Sequence, residues 1–185
     1  MITEKLINEC STAIATLAKE ISDTKHDSSW SIELPASSFL QQYPESELKD
    51  LVTWSKDVKN CKFIYMFSVN GGSTPEQLFE LYKSARNREK ENKGNRAFSR
   101  PIEPAPTLYV GSSNSIAGRI GQHLGHKNET VYSMRLRHWL MSDSIESLKI
   151  EVWRFPSQTS QPVLQAIEDF LWAQKKPMLG KQGGK

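Results

Sequence analysis

Tyr65, Tyr109, Arg119, His123 and Glu168 are side chains of types that together can manage a phosphate ester. A phenol can orient a water or lose a proton, a guanidinium can neutralise phosphoryl oxygens, and an imidazole can hold or pass a proton. A carboxylate can hold a hard divalent cation. The chemistry such a set could do is hydrolysis of a phosphodiester. Arg119 and His123 are four apart, so on a helix they lie one turn from each other on the same face. Each residue also has a plainer reading. Strands favour tyrosine in any case, a helix shows some charge to water, and Glu168 could pair with a base at the edge of a packed helix.

Positioning these residues requires strands at the two tyrosines and helices at the others. Lys62 to Val69 is rich in aromatic and β-branched residues and predicts a strand, broken by Asn70-Gly71-Gly72. Side chains alternate along a strand, so Phe63, Tyr65 and Phe67 share one face. Thr107 to Ser113 predicts a second strand with Tyr109 and Gly111 on one face, and pairing of the two would make Tyr65 and Tyr109 neighbours. Ser113 or Asn114 can cap a helix from 115 to 124 that carries Arg119 and His123. His126, near the end of that helix, suits a partner for its dipole. Leu148, Ile150 and Val152 alternate with Lys149, Glu151 and Trp153, giving a third strand. Gln161 to Lys175 predicts the last helix, with Val163, Leu164, Ile167, Phe170 and Leu171 inward. Glu168 sits beside that apolar stripe, where an unpaired carboxylate is costly. Asp169 points about 100° away from it and is expected in solvent.

The remaining elements are helical or loop-like. Leu6, Ile7, Cys10, Ala13, Ile14, Leu17 and Ile21 recur at helical spacing after a Thr3 cap, predicting a helix over 3–22. Asp23 to Ser31 reads as a loop and 34–44 is ambiguous. Helices are expected over 45–58, over 75–91 behind Ser73 or Thr74 with Pro75 in the first turn, and over 131–141. Arg86 to Arg100 is basic and almost devoid of apolar residues, which reads as a linker: either a solvated surface or an arm for a nucleic-acid backbone. The expectation is an α+β fold: a small three-stranded mixed or antiparallel sheet flanked by helices. Residues 1–60 form a helical N-terminal extension, and residues 61–185 form the domain, with an insertion at about 70–106.

Bulk properties narrow the function. The chain has 185 residues, 37% hydrophobic and 24% charged, which suits one soluble domain. Its longest near-continuous apolar run, Phe63 to Val69, is far short of the roughly 20 residues of a membrane span. With no apolar leader at the N-terminus, a cytoplasmic location is expected. Cys10 and Cys61 are remote from each other and read as small buried hydrophobes. Residues 1–60 hold six Lys against ten Asp or Glu, a balance of −4. Residues 61–185 hold eighteen Lys or Arg against eleven acids, +7. A polyanion would therefore meet the C-terminal two-thirds. The candidate backbone-binding residues are Arg86, Arg88, Lys90, Lys93, Arg96 and Arg100 in the insertion, and Arg135, Arg137 and His138 after the Arg119 helix.

The order Phe63-Ile64-Tyr65, Tyr109-Val110-Gly111, Arg119, Glu168 resembles the GIY-YIG nuclease superfamily over roughly residues 61–182, and the Arg119/His123 spacing is similar to its restriction-endonuclease-like branch. The resemblance implies a metal-dependent endonuclease, with DNA the expected substrate and Mg²⁺ or Mn²⁺ the cofactor. In that reading Glu168 holds the metal and Arg119 binds the phosphoryl group. Tyr65 is general base or water orienter, His123 is a proton relay to it, and Tyr109 hydrogen-bonds phosphate or water. Cutting a duplex would take a homodimer or two sequential nicks. Two departures stand out. Phe63 occupies the usual glycine position, and Gly180 follows Pro177 where many members carry an asparagine. They keep open an alternative: a catalytically inactive module on the same fold, binding nucleic acid or a protein.

Overall fold

The central strand is apolar on both faces because both are covered. In a computed structural model, which describes residues 2–183, β2 (Lys62–Asn70) buries Phe63, Tyr65 and Phe67 on one side and Ile64 and Met66 on the other. It pairs antiparallel with β3 (Thr107–Ser113) and with β4 (Ser147–Phe155). A further strand, β1 (Ser28–Pro35), pairs antiparallel with β4, giving a four-stranded antiparallel sheet in the order β1-β4-β2-β3.

The fold is thus α+β with four strands and not three, and residues 1–60 are not wholly helical. The fourth strand escapes sequence reading because Ser28–Pro35 lies at the sheet edge. Its side chains are mostly half-buried or exposed, and only Leu34 is deeply buried, so the run carries little of the apolar density that marks β2. The rest of the first sixty residues forms α1 (Glu4–Asp23), α2 (Ala36–Leu40) and α3 (Lys49–Trp54), the last shorter than 45–58.

Helices cover the sheet on both faces. On the Tyr65 face, Phe39 of α2, Leu51 of α3 and Leu78 and Tyr82 of α4 (Pro75–Glu91) join the main core. Ile116, Ile120 and Leu124 of α5 (Ile116–Leu124) join it too. On the Ile64 face, Leu164, Ile167 and Leu171 of α6 (Gln161–Lys175) pack with Ile64, Trp153 and Phe155. α4 begins in a capping box made by Thr74 and Gln77, with Pro75 in its first turn. It runs to Glu91, as the spacing over 75–91 predicts, and takes in the first six residues of the basic stretch 86–100.

Four local expectations are corrected. Residues 131–141 are irregular apart from a 3₁₀ turn at Leu136–His138, because Arg135 takes φ +59° and ends any helical path. Phe170 is 67% exposed, outside the stripe that packs on the sheet. Asp169 is half-buried, accepting from Gln165 Nε2 at 3.0 Å and from the Gly183 N–H at 3.0 Å. Cys10 is exposed, while Cys61 is buried as expected. Cys10 is open to solvent because α1 itself lies off the body. The Thr3 cap forms, but α1 buries none of its residues, and Leu6, Ile7 and Ile14 are exposed. Its C-terminal end meets α6, where Glu20 accepts from the Ser160 hydroxyl.

Candidate active site

Register places the two tyrosines. Tyr65 lies opposite Gly111 and Phe67 opposite Tyr109, so all four point to the main-core face. The Tyr65 and Tyr109 rings lie nearly parallel, 7° apart, with centroids separated by 6.1 Å. Gly111 makes this possible. A Cβ there would stand 2.8 Å from Tyr65 Oη and 2.8 Å from the Tyr109 ring.

α5 delivers the other two groups to the same oxygen. Its N-cap is Ser115, whose backbone N–H reaches the Ser113 hydroxyl at 3.0 Å, so the helix starts directly after the strand. Arg119 Nε donates to Tyr65 Oη at 3.0 Å. One turn later His123 Nε2 lies 3.0 Å from the same Tyr65 oxygen. The remaining guanidinium contacts run to Gln122 Oε1 at 2.9 Å and to Tyr109 Oη at 3.4 Å. Gln122, three residues from Arg119, is a positioning residue that the sequence reading passed over, although i,i+3 spacing on a helix signals such a pair.

The imidazole's tautomer follows from its second contact. The Met134 backbone N–H donates to His123 Nδ1 at 3.3 Å, so Nδ1 is an acceptor and the proton of the neutral ring sits on Nε2. His123 therefore donates to Tyr65 and does not accept its proton. This corrects the expectation of a relay. Burial above all, then the Arg119 and Arg135 charges, push the imidazole well below its usual range, so it stays neutral. Tyr65 ends with two N–H groups directed at its oxygen. Burial nonetheless pushes its phenol up, reinforced by Tyr109 and opposed by Arg119.

Glu168 stands on the other side of the edge strand. Ser112 lies opposite Ile64 and so faces α6, where its hydroxyl is near enough to Glu168 to favour the carboxylate. Burial raises the carboxyl, with Ser112 and Arg119 acting in the opposite direction. Glu168 makes no direct hydrogen bond to Tyr65, Tyr109, Arg119 or His123, but its charge reaches both Tyr65 and Arg119. The four other residues are joined directly, and Glu168 lies across β3 from them. Among the described residues no group of three or more His, Cys, Asp or Glu could form a metal cluster. Glu168 with Ser112 beside it fits a different kind of site, a single carboxylate sharing a hard cation with water and phosphate oxygens. Asp169 is engaged elsewhere by Gln165 and Gly183.

The wall beside Tyr109 comes from the end of the chain. Met178 and Leu179 donate their N–H groups to the Thr107 and Leu108 carbonyls at 2.8 and 3.0 Å. This brings Gly180, at φ +111°, against the Tyr109 ring, where a Cβ would stand 3.1 Å away. No side chain at 180 could take the place of an asparagine without moving that ring.

The candidate backbone-binding residues separate into groups. Arg88, Lys90, Lys93, Arg100 and Arg137 are exposed, and Arg86 is half-buried. Arg96 is held by Glu89 at 2.9 Å and Glu129 at 3.1 Å. His138 is half-buried, with Nε2 out of solvent. Arg135 is fully buried and donates to the Lys127, Asn128 and Val131 carbonyls at 2.9, 2.7 and 2.7 Å. It is a clamp for the loop after α5 and cannot meet a polyanion. His126 is likewise structural, with Nε2 2.6 Å from the Phe39 carbonyl.

No family model, curated protein or solved structure matches the chain.

Proposed function

We propose that the chain is a GIY-YIG-type nuclease that hydrolyses a phosphodiester of nucleic acid, DNA in the first instance, with one divalent cation. The observation that carries this reading is the convergence of the Arg119 guanidinium and the His123 N–H on the single Tyr65 oxygen. A buried tyrosine that serves only packing needs one partner. Two N–H donors aimed at one phenol oxygen stabilise negative charge there. In the reaction Tyr65 acts as water orienter or general base, and the two donors favour the phenolate against the cost of its burial.

Arg119 has five N–H groups, and three are engaged by Tyr65, Gln122 and Tyr109. The remaining donors are available to a phosphoryl oxygen. Tyr109, half-buried beside them, presents its hydroxyl to the same region. His123 is a positioning residue, held by Met134 and fixing Tyr65. Glu168 would hold Mg²⁺ or Mn²⁺, supported by Ser112. When bound, such a cation supplies Lewis-acid polarisation of the phosphate and a template for the leaving oxygen. Surface cavities of about 390 Å³ beside the end of α1 and about 280 Å³ beside the end of α5 lie away from this cluster. A polymeric substrate needs an open surface more than an enclosed pocket, so their position does not compete with the reading.

A second reading, an inactive nucleic-acid-binding or protein-interaction module, is favoured by one observation: Tyr65 is 1% exposed, so an attacking water must reach it past Tyr109 and Arg119. Nicking of supercoiled plasmid with Mg²⁺ or Mn²⁺ separates the two. Cleavage by the wild type, lost in Glu168→Gln with an unchanged circular-dichroism spectrum, supports the nuclease. Cleavage retained in Glu168→Gln refutes the metal assignment, and no cleavage by the wild type with either metal favours the module.

A further inference from the structure

We propose that Arg100 and Lys181 form a two-cation clamp that grips a backbone phosphate beside Tyr109. The inference rests on the reading of this face as a nucleic-acid site, but not on its being catalytic.

The two residues come from segments far apart in the chain, and the backbone holds both segments in place. The Gly180 N–H donates to the Arg100 carbonyl at 2.8 Å, and the Ile102 N–H donates to the Met178 carbonyl at 2.9 Å. Pro101 and Leu179 form an antiparallel bridge between them. The same C-terminal segment is bound to the start of β3 through Met178 and Leu179. Gly180 abuts the Tyr109 ring. Arg100 is therefore one backbone hydrogen bond, and Lys181 one peptide, from the residue that walls Tyr109. Positions pinned in this way cost little further ordering when a ligand arrives.

The side chains at these positions are free to bind. Arg100 and Lys181 are both exposed, and among the described residues neither takes part in an ion pair. Arg96, in the same insertion, is neutralised by two glutamates. Arg119 is half-buried and largely engaged within the site. A phosphodiester chain crossing Tyr109 extends beyond the group that Arg119 can reach, and its adjoining phosphate needs a cation from another element. The insertion and the C-terminal segment supply two. Such contacts position the polymer without reading its sequence.

The test is fluorescence anisotropy of a labelled DNA duplex with the full chain in EDTA, across a series of NaCl concentrations. Each lost phosphate contact lowers the steepness of log K against log salt by about 0.9. Arg100→Ala/Lys181→Ala is expected to make the slope shallower by about 0.9, the one phosphate that the clamp neutralises. The charge-conserving Arg100→Lys/Lys181→Arg pair should restore it. Arg88→Ala/Lys90→Ala, at the exposed end of α4, should change it less. An unchanged slope in the Arg100/Lys181 double variant overturns the clamp, as does an equal loss in the α4 variant or the absence of salt-dependent binding by the wild type. The two ideas fail separately: a clamp-dependent slope without Mg²⁺-dependent cleavage leaves the clamp and removes the nuclease, and cleavage with an unmoved slope does the reverse.

Discussion

The Met134 backbone N–H and the His123 ring are joined by a 3.3 Å hydrogen bond to Nδ1, and this contact decides which way the Tyr65–His123 bond runs. A neutral imidazole so held has only Nε2–H to offer, and Tyr65 receives it. The site then depends on a histidine that its burial and the nearby Arg119 and Arg135 charges hold neutral, which makes its behaviour in acid informative.

Because burial first, and then Arg119 and Arg135, lower the His123 pKa in the fold, the unfolded chain binds the extra proton below its ordinary pKa of about 6.5. Stability from this group is fully present above that value and is lost as pH falls, at up to about 1.4 kcal/mol per pH unit. His126 and His138, also lowered chiefly by burial, act in the same direction. Glu168, raised by burial, acts in the opposite sense, lower in the carboxylate range. The urea midpoint should therefore drop between pH 7.5 and 5.5, with a smaller drop in His123→Gln. A midpoint that holds or rises over that window would count against a neutral buried His123.

Gly111 should tolerate no side chain. A methyl at this position meets both phenols at 2.8 Å, and overpacking of this kind costs about 1–3 kcal/mol. Gly111→Ala is expected to lower thermal stability by that amount and to cut plasmid nicking more than Glu151→Ala does, on a partly exposed position of β4. Equal effects of the two substitutions would show that the phenol pair is not sensitive to its spacing.

Arg119→Lys keeps the charge and loses the fork that spans Tyr65, Gln122 and Tyr109. Cleavage under single-turnover conditions should fall by about 10²-fold or more, with nucleic-acid affinity changed far less. A fall in affinity that accounts for the whole loss would assign Arg119 to binding alone.

Arg135→Ala separates buried cations from exposed ones. It strips donors from three carbonyls in a closed setting, which should cost about 3 kcal/mol. Differential scanning calorimetry is expected to show the melting temperature lowered by about 6–12 °C, while the salt slope of DNA binding stays as in the wild type. A shallower slope with normal stability would return Arg135 to the binding surface.

Much of the fold was legible in the chain, for reasons that can be named. β2, β3, β4, α4 and α6 lie within a residue or two of their expected bounds because alternation, helical spacing and caps agree with one another there. Residues 131–141 misled because Met134, Leu136, Trp139 and Leu140 are apolar at intervals that suit a helix, while the left-handed Arg135 and its carbonyl partners belong to tertiary structure. β1 was lost to its polar, edge-strand composition. In the site, the tyrosines, Arg119 and His123 carry chemistry in their types and spacing. The contact from Met134 is made by a backbone amide, which leaves no mark on residue identity. Ser112 is brought beside an acid 56 positions later, a distance over which local pattern is silent.

α1 stands apart from the cooperative core, and this sets a wide spread of opening energies across one chain. A helix that buries no residue gains little from tertiary packing, so its amides open by fraying and by local melting. Deuterium should enter residues 4–16 within seconds. The amides of β2, paired on both sides and buried on both faces, should exchange only when the whole molecule unfolds.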